Sequence, residues 1–375
     1  MPAKRIAMLG HKRVPSRDGG VEIVVGELST RMARLGYDVT CLNRNVYLNE
    51  DEIDNQAKSL SIYKGVKLLN VKTIDINGIS AVSSSFFGSI EAIKKKYDVV
   101  HYHAEGPAFM CWLPKLFKKK IIVTIHGLDH KRIKWGKFSS WFIKQGEKNA
   151  VKYADHIIVL SQSDQKYFIE QYNRKTVLIP NAVDKPTIIK ANVISKKYKL
   201  KKDDYILFLG RIVPEKGVDD LIEAYNRINT NKKLVIAGGQ SGTAEYYEKV
   251  KSKAINNNNV IFTGFVQGEE LEELYSNAYI YCLPSYLEGM PISLLEAMSY
   301  GNCCLTSDLD ICKDVMNDNG LFYKLGDKQD LYDKLEQLCN DKDIVKHYKS
   351  ISREYICNKY NWDDVVNRTI ELYNN

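Results

Sequence analysis

No window of the sequence approaches the roughly 20 consecutive apolar residues that span a bilayer, so a transmembrane helix is not expected. Cysteine occurs at 41, 111, 282, 303, 304, 312, 339 and 357 but never as Cys-x-x-Cys, which leaves no thiol motif for metal or redox chemistry. The first residues lack the apolar core of a secretory signal, and a reducing cytoplasm is the expected compartment. Internal repeats and long low-complexity tracts are absent, and none of the usual nucleic-acid-recognition modules is visible, so nucleic acid is not an expected partner. No Gly-x-Gly-x-x-Gly fingerprint follows a strand, which argues against an NAD enzyme.

What is present suits a globular enzyme. At 375 residues, 44% of them hydrophobic and 10% aromatic, the chain exceeds what one core usually serves, and two domains are expected. The formal charge of +8 is unevenly placed. Residues 92–148 hold thirteen Lys/Arg against four Asp/Glu, so this segment alone outweighs the excess of the whole chain. Within it, residues 115–144 interleave cations with Trp and Phe. Two readings stand for that stretch: a face lying on an anionic membrane, or a solvated basic helix with one core-facing stripe.

Short apolar runs alternate with helical spacing from the start. A strand over 4–10, a helix over 21–35 with apolar residues at 21, 24, 25, 28, 32 and 35, and a strand over 37–42 give the opening of a parallel sheet. Further strands are expected at 66–71, 98–103, 121–126 and 156–160. Residues 185–202 are polar, lysine-rich and irregular, marking a junction between a first domain (1–184) and a second (203–358). The pattern then restarts, with strands at 205–210, 233–237, 260–262, 280–283 and 303–306. A last helix, 359–375, closes the chain. The expected class is α/β, with two Rossmann-like, doubly wound parallel-sheet domains facing across a cleft.

The stretch 281–301 carries the strongest chemical signal. It reads as strand, loop and helix, with Pro284, Ser285 and Gly289 breaking the strand, Pro291 placed as a first helical residue, and Gly301 as the stop. A helix starting there aims the amides of Met290, Ile292 and Ser293 and its positive dipole end at the loop, which suits an anion. Glu288 and Glu296, with seven residues between them, flank that anion site. Carboxylates beside a phosphate make sense as acceptors for hydroxyl groups on either side of it, as in a nucleotide sugar. In another loop, Arg211 and Lys216 lie between Gly210 and Gly217, two cations suited to gripping a diphosphate. Gly19 and Gly20 precede a helix and let backbone amides approach a ligand. His103, His126 and Glu105 fall at strand carboxyl ends. Asp308 and Asp310 form an Asp-x-Asp pair read as a turn or helix cap rather than a metal site.

The segment from Glu288 to Met298 resembles the glutamate–seven–glutamate signature of retaining GT-B glycosyltransferases of family 4. Gly19-Gly20, His126 and the Arg211/Lys216 pair occur in the order that family shows, so the resemblance covers both halves. It implies a hexosyltransferase that needs no cofactor or metal and uses a nucleotide diphosphate sugar donor and a saccharide or lipid-linked saccharide acceptor. Such a role suits surface polysaccharide synthesis, and the opening loop is similar to rhamnosyltransferase-like members. The resemblance places Arg211 and Lys216 on the donor phosphates, together with Gly289, Met290, Pro291 and Ile292. Glu288 would hold sugar hydroxyls, Glu296 the ribose and His126 the far side of the sugar. Gly19 and Gly20 would face the donor phosphates and the acceptor cleft, and Gly238 and Val266 would line the nucleotide, while His103 and Glu105 are acceptor-side candidates by their position at a strand end alone. In relatives the last helix crosses back to the first domain. A sugar-nucleotide epimerase on the same architecture and a non-catalytic saccharide- or membrane-binding protein are the competing readings. Front-face attack is favoured over a covalent intermediate on a carboxylate.

Overall fold

A computed structural model describes residues 4–45, 60–76, 79–128, 137–240 and 244–375, without the side chains of 137–139. Residues 129–136 of the cationic-aromatic stretch 115–144 therefore lie outside the described residues. The chain divides into two compact units, one formed by Met1–Asn181 with Trp362–Asn375, the other by Ala182–Asn361.

Among the described residues the first unit holds eight strands: β1 (Arg5–Leu9), β2 (Asp38–Arg44), β3 (Ile62–Tyr63), β4 (Val66–Val71), β5 (Val99–His103), β6 (Lys120–Ile125), β7 (His156–Val159) and β8 (Val177–Leu178). Their spatial order is β3-β4-β2-β1-β5-β6-β7-β8, parallel except for the β3–β4 hairpin. Burial on both faces explains the unbroken apolar runs. Ile6, Ala7, Met8, Val99, Val100, Ile121, Ile122 and Val123 are all fully buried. The two-residue strands β3 and β8 are too short to leave a periodic signal in sequence. Helix Trp362–Asn374 belongs to this unit, pinned by Lys4 Nζ donating to the Tyr373 carbonyl at 2.6 Å and by Arg31 stacked on Trp362 at 4.9 Å.

The second unit holds β9 (Tyr205–Leu209), β10 (Lys233–Ala237), β11 (Val260–Gly264), β12 (Ile280–Leu283), β13 (Cys303–Ser307) and β14 (Leu321–Tyr323). All are parallel, in the order β11-β10-β9-β12-β13-β14. Cys282, Cys303 and Cys304 are fully buried in neighbouring strands and act as small apolar side chains. β13 is not the final strand, contrary to the sequence pattern. β14 follows, and its three residues, Leu-Phe-Tyr, are too few to carry a period.

In each sheet the strand order reverses once, at β1/β5 and at β9/β12, and loops leaving the carboxyl ends there open a crevice. The strand following each reversal is reached by a long crossover, so neighbouring loops diverge and leave room for a ligand.

Residues 185–202 are not a free junction but part of the second unit. Helix Val193–Tyr198 starts there, and the fully buried Glu273 carboxylate accepts from the amides of Asn192, Val193 and Ile194 at 2.9, 3.0 and 2.9 Å. Burial works to raise the Glu273 carboxyl, but the three amides hold it below its ordinary value. A carboxylate so depressed adds stability above its unfolded value of about 4.3 and loses it as pH falls through the folded one. Glu273→Gln is expected to cost roughly 2–4 kcal/mol at pH 7, with the gap from the parent narrowing below about pH 4, read by denaturant titration.

Candidate functional site

In the second unit the switch-point loops are those after β9 and β12. The first turns through Pro214–Lys216 into helix Val218–Arg227, and the second runs from Pro284 to helix Ile292–Ser299. They are joined at three places. The Tyr286 amide donates to the Glu215 carbonyl at 2.8 Å. Lys216 Nζ donates to Glu288 Oε1 at 2.5 Å. Gly217, at φ +61°, lies so close that a Cβ would sit 2.3 Å from the Pro284 carbonyl oxygen. Only glycine meets both conditions there.

Glu288 Oε1 also accepts from Ser285 Oγ at 2.6 Å, and the Ser285 carbonyl accepts from Ser307 Oγ at 2.5 Å. The Lys216 and Glu288 side chains are 15% and 8% exposed, so the ion pair is largely removed from water. Tyr286 closes the loop from outside, its hydroxyl donating to Asp220, which also pairs with Lys328 at 2.6 Å. A cation and a carboxylate thus meet within one loop pair, and the cation's remaining protons are available to an incoming anion.

Pro291 is the N-cap of its helix and not the first helical residue. Its ψ of 108° is extended, and its carbonyl accepts from the amides of Leu294 and Leu295 at 3.1 and 3.3 Å. The first-turn amides of Ile292 and Ser293 have no acceptor within the helix, the geometry an anion requires. Met290 and Ile292 are buried and Gly289 is half-buried. Glu296, one turn on, is held by Tyr275, whose hydroxyl donates to Oε2 at 3.1 Å.

Arg211 follows β9 and is half-buried, beside Ile212, whose amide donates to the Gly239 carbonyl at 3.2 Å. Gly238, at φ +153°, abuts the loop after β9, where a Cβ would meet the Gly210 carbonyl oxygen at 1.8 Å. Its amide donates to the Gly264 carbonyl at 2.9 Å, drawing three strand ends together. Val266 is buried and Phe265 is 51% exposed. Asp308 anchors a turn, accepting from the Leu325 amide at 2.8 Å and from Lys313 at 3.3 Å, while Asp310 opens helix Asp310–Met316.

In the first unit, the loop after β1 is shaped by Asn43 and Glu22. Asn43 bonds both the amide and the carbonyl of Val14 at 3.0 Å and His11 Nε2 at 2.9 Å, and Glu22 accepts from the Lys12 amide at 2.8 Å. Gly19 caps helix Gly20–Arg34 in an extended conformation, and Gly20 is exposed. His126 is half-buried at the end of β6. His103 and Glu105 are fully buried and so present no side-chain surface to an acceptor. His103 supports His126 instead, its Nδ1 lying 3.1 Å from His126 Nε2. Burial, and then the neighbouring imidazoles His101, His126 and His11, keep His103 far below the usual histidine range and neutral.

Ser285, Ser307, Tyr275, Tyr286 and Asn43 escape sequence reasoning as supports. Only Ser285 has a local signal, as a strand breaker beside Pro284. The others lie on separate elements, so no spacing announces them.

Residues 18–185 match the family model described as Glycosyltransferase Family 4, and residues 190–355 the one described as Glycosyl transferases group 1. A Campylobacter jejuni alpha-1,4-N-acetyl-D-galactosaminyltransferase, named for a diNAcBac-PP-undecaprenol-linked substrate, is 28% identical over 74% of this chain and 76% of its own. Sucrose-phosphate synthase from Thermosynechococcus elongatus superposes with a TM-score of 0.83 at 20% identity, covering 99% of this chain and 98% of that one. The Anabaena protein HepE, solved with UDP-glucose, gives 0.79 at 14% identity, covering 98% of each chain.

Gly217→Ala is expected to push the two loops apart and to lower unfolding stability by about 1–3 kcal/mol, measured by denaturant titration. An unchanged midpoint would show that the close approach to Pro284 is not a constraint.

Proposed function

Since the chain belongs to the family 4 glycosyltransferases and carries the GT-B fold, we propose that it is a retaining, metal-independent hexosyltransferase taking a nucleotide diphosphate sugar as donor. The observation that carries this reading is the Lys216–Glu288 contact at the β9/β12 switch point, with the open first turn at Ile292 beside it in sequence. Arg211, Lys216 and the amides of the 292–299 helix neutralise charge that grows on the leaving diphosphate, the electrostatic contribution that usually dominates such chemistry. Glu288 accepts sugar hydroxyls once Lys216 turns to the phosphate. Glu296, steadied by Tyr275, accepts the ribose hydroxyls, and Gly238 and Val266 line the nucleotide. Gly19 and Gly20 belong to the donor and acceptor edge of the first unit, and His126 to the far side of the sugar.

The reaction follows from those roles. The bond from the anomeric carbon to the diphosphate oxygen breaks, and the acceptor hydroxyl oxygen bonds to the same face of that carbon. Its proton passes to the departing diphosphate oxygen. Asp308 supports the metal-free reading, because its carboxylate is already engaged by Leu325 and Lys313.

The acceptor is a saccharide, and a lipid-linked one fits the name of the Campylobacter relative. Leu116 and Phe117 are 68% and 56% exposed next to the exposed Lys118, and Trp141 is 56% exposed, side chains suited to the anionic cytoplasmic leaflet. A cytoplasmic enzyme of surface polysaccharide synthesis, peripheral to the membrane, accommodates these features and the eight free cysteines.

UDP-, GDP- and dTDP-linked hexoses compared by thermal shift should yield one donor that raises Tm, since a ligand well above its Kd adds measurable stability. With that donor, Arg211→Ala and Glu288→Gln are expected to lower kcat by about 10²–10³ while the protein stays folded. Turnover should persist in EDTA. Activity that vanishes on chelation and returns with manganese would overturn the metal-free assignment.

A further inference from the structure

Four of the seven histidines gather in the first unit at the ends of three adjacent strands: His11 after β1, His101 and His103 on β5, and His126 after β6. The mechanism uses only His126. His101 is fully buried and both its ring nitrogens are engaged, Nδ1 with the Tyr373 hydroxyl at 2.7 Å and Nε2 with Thr124 Oγ1 at 2.7 Å. Its ring lies 4.2 Å from that of His103 at an interplanar angle of 27°, a stacked contact. His103 in turn meets His126 at 3.1 Å.

From this chain of contacts we propose that Tyr373, in the helix Trp362–Asn374, is a positioning residue for His126, acting through His101 and His103. The inference rests on the assignment of His126 to the sugar-binding side of the site. Tyr373 and Thr124 fix the plane of the His101 ring. That ring is one wall of the slot holding His103, and the orientation of His103 sets which nitrogen of His126 is bonded inward and which way its ring faces.

The slot is tight on other sides. A Cβ on Gly10 would come within 2.1 Å of the His103 carbonyl oxygen, so the β1 loop presses on the same residue. Ala104, directly after His103, has φ +79° and ψ 158°, a region that residues other than glycine enter only under constraint. Backbone strain beside a stacked, buried imidazole is what a site holding one rotamer would show. Neither His101, His103 nor Tyr373 carries a charge that would loosen the row. Burial pushes His101 down to about 3 and His103 well below the histidine range, and keeps the Tyr373 hydroxyl protonated. From Tyr373 through His101 to His103 the arrangement is therefore one of neutral hydrogen bonds and ring contacts.

The test uses the full chain and long-range proton–nitrogen NMR of the imidazoles, with His126 assigned by its disappearance in His126→Asn. The parent should show His126 in one fixed tautomer. Tyr373→Phe, which keeps the ring and removes the hydroxyl, should shift the His126 nitrogens toward the average of two tautomers while UDP affinity at the second unit stays unchanged. Thr124→Val should do the same, and Thr124→Ser should restore the parent pattern. Sugar-nucleotide turnover, read as nucleoside diphosphate released from the UDP-, GDP- and dTDP-hexose panel, should fall about ten- to a hundredfold in Tyr373→Phe, in kcat more than in KM. Unchanged His126 nitrogens in folded Tyr373→Phe and Thr124→Val would overturn the proposal. An altered tautomer with unaltered turnover would uphold the positioning and instead remove His126 from the sugar site.

Discussion

A lysine ammonium and a glutamate carboxylate, nearly out of water and 2.5 Å apart, set the terms for the second unit. Removing two charges from solvent is costly, and their mutual attraction offsets that cost only when geometry and extra hydrogen bonds are good. Ser285 supplies such a bond, and the backbone link from Tyr286 to Glu215 holds the loops at the required spacing. The pair is therefore better understood as a pre-set arrangement than as a source of stability. An arriving diphosphate competes with Glu288 for Lys216 and frees the carboxylate for hydroxyl groups in the same event. Charge compensation before binding and recognition after it use the same two side chains.

The positions of Gly217 and Gly238 follow from the same constraint. Both lie where strand-end loops touch backbone to backbone, with separations too small for any side chain. The parallel sheet beneath keeps the strand ends fixed, since its residues are buried on both faces and have little freedom to slide. Rigid strands and glycine contacts together leave the polar side chains little freedom beyond their rotamers.

Much of this is legible in the sequence because parallel strands write long apolar runs. The strands Lys233–Ala237 and Ile280–Leu283 emerge with their expected limits, and Val66–Val71 likewise. Glu288 and Glu296 stand out through their spacing and their setting of Pro284, Gly289 and Pro291. The strands Ile62–Tyr63, Val177–Leu178 and Leu321–Tyr323 are invisible to sequence because two or three residues carry no period. Pattern alone sets Pro291 one position too far into its helix, because its fixed φ suits the cap and the first turn equally and only ψ separates them. The segment 185–202 looks like a linker by composition, whereas its anchoring by Glu273 depends on a residue some 80 positions away. The burial of His103 is equally hidden, since it depends on rings from β5 and β6 and on the loop after β1.

The first unit is discontinuous in sequence, with all of Ala182–Asn361 inserted before Trp362–Asn375 completes it. On a ribosome, the strands of this unit are made early, yet the Tyr373 hydroxyl that engages buried His101 is made only after every residue of the second unit. The second unit, continuous in sequence, needs no later segment to close its sheet. The amino-terminal half thus stays without one of its own packing elements until the helix Trp362–Asn374 has been made, whatever the state of the unit inserted before it.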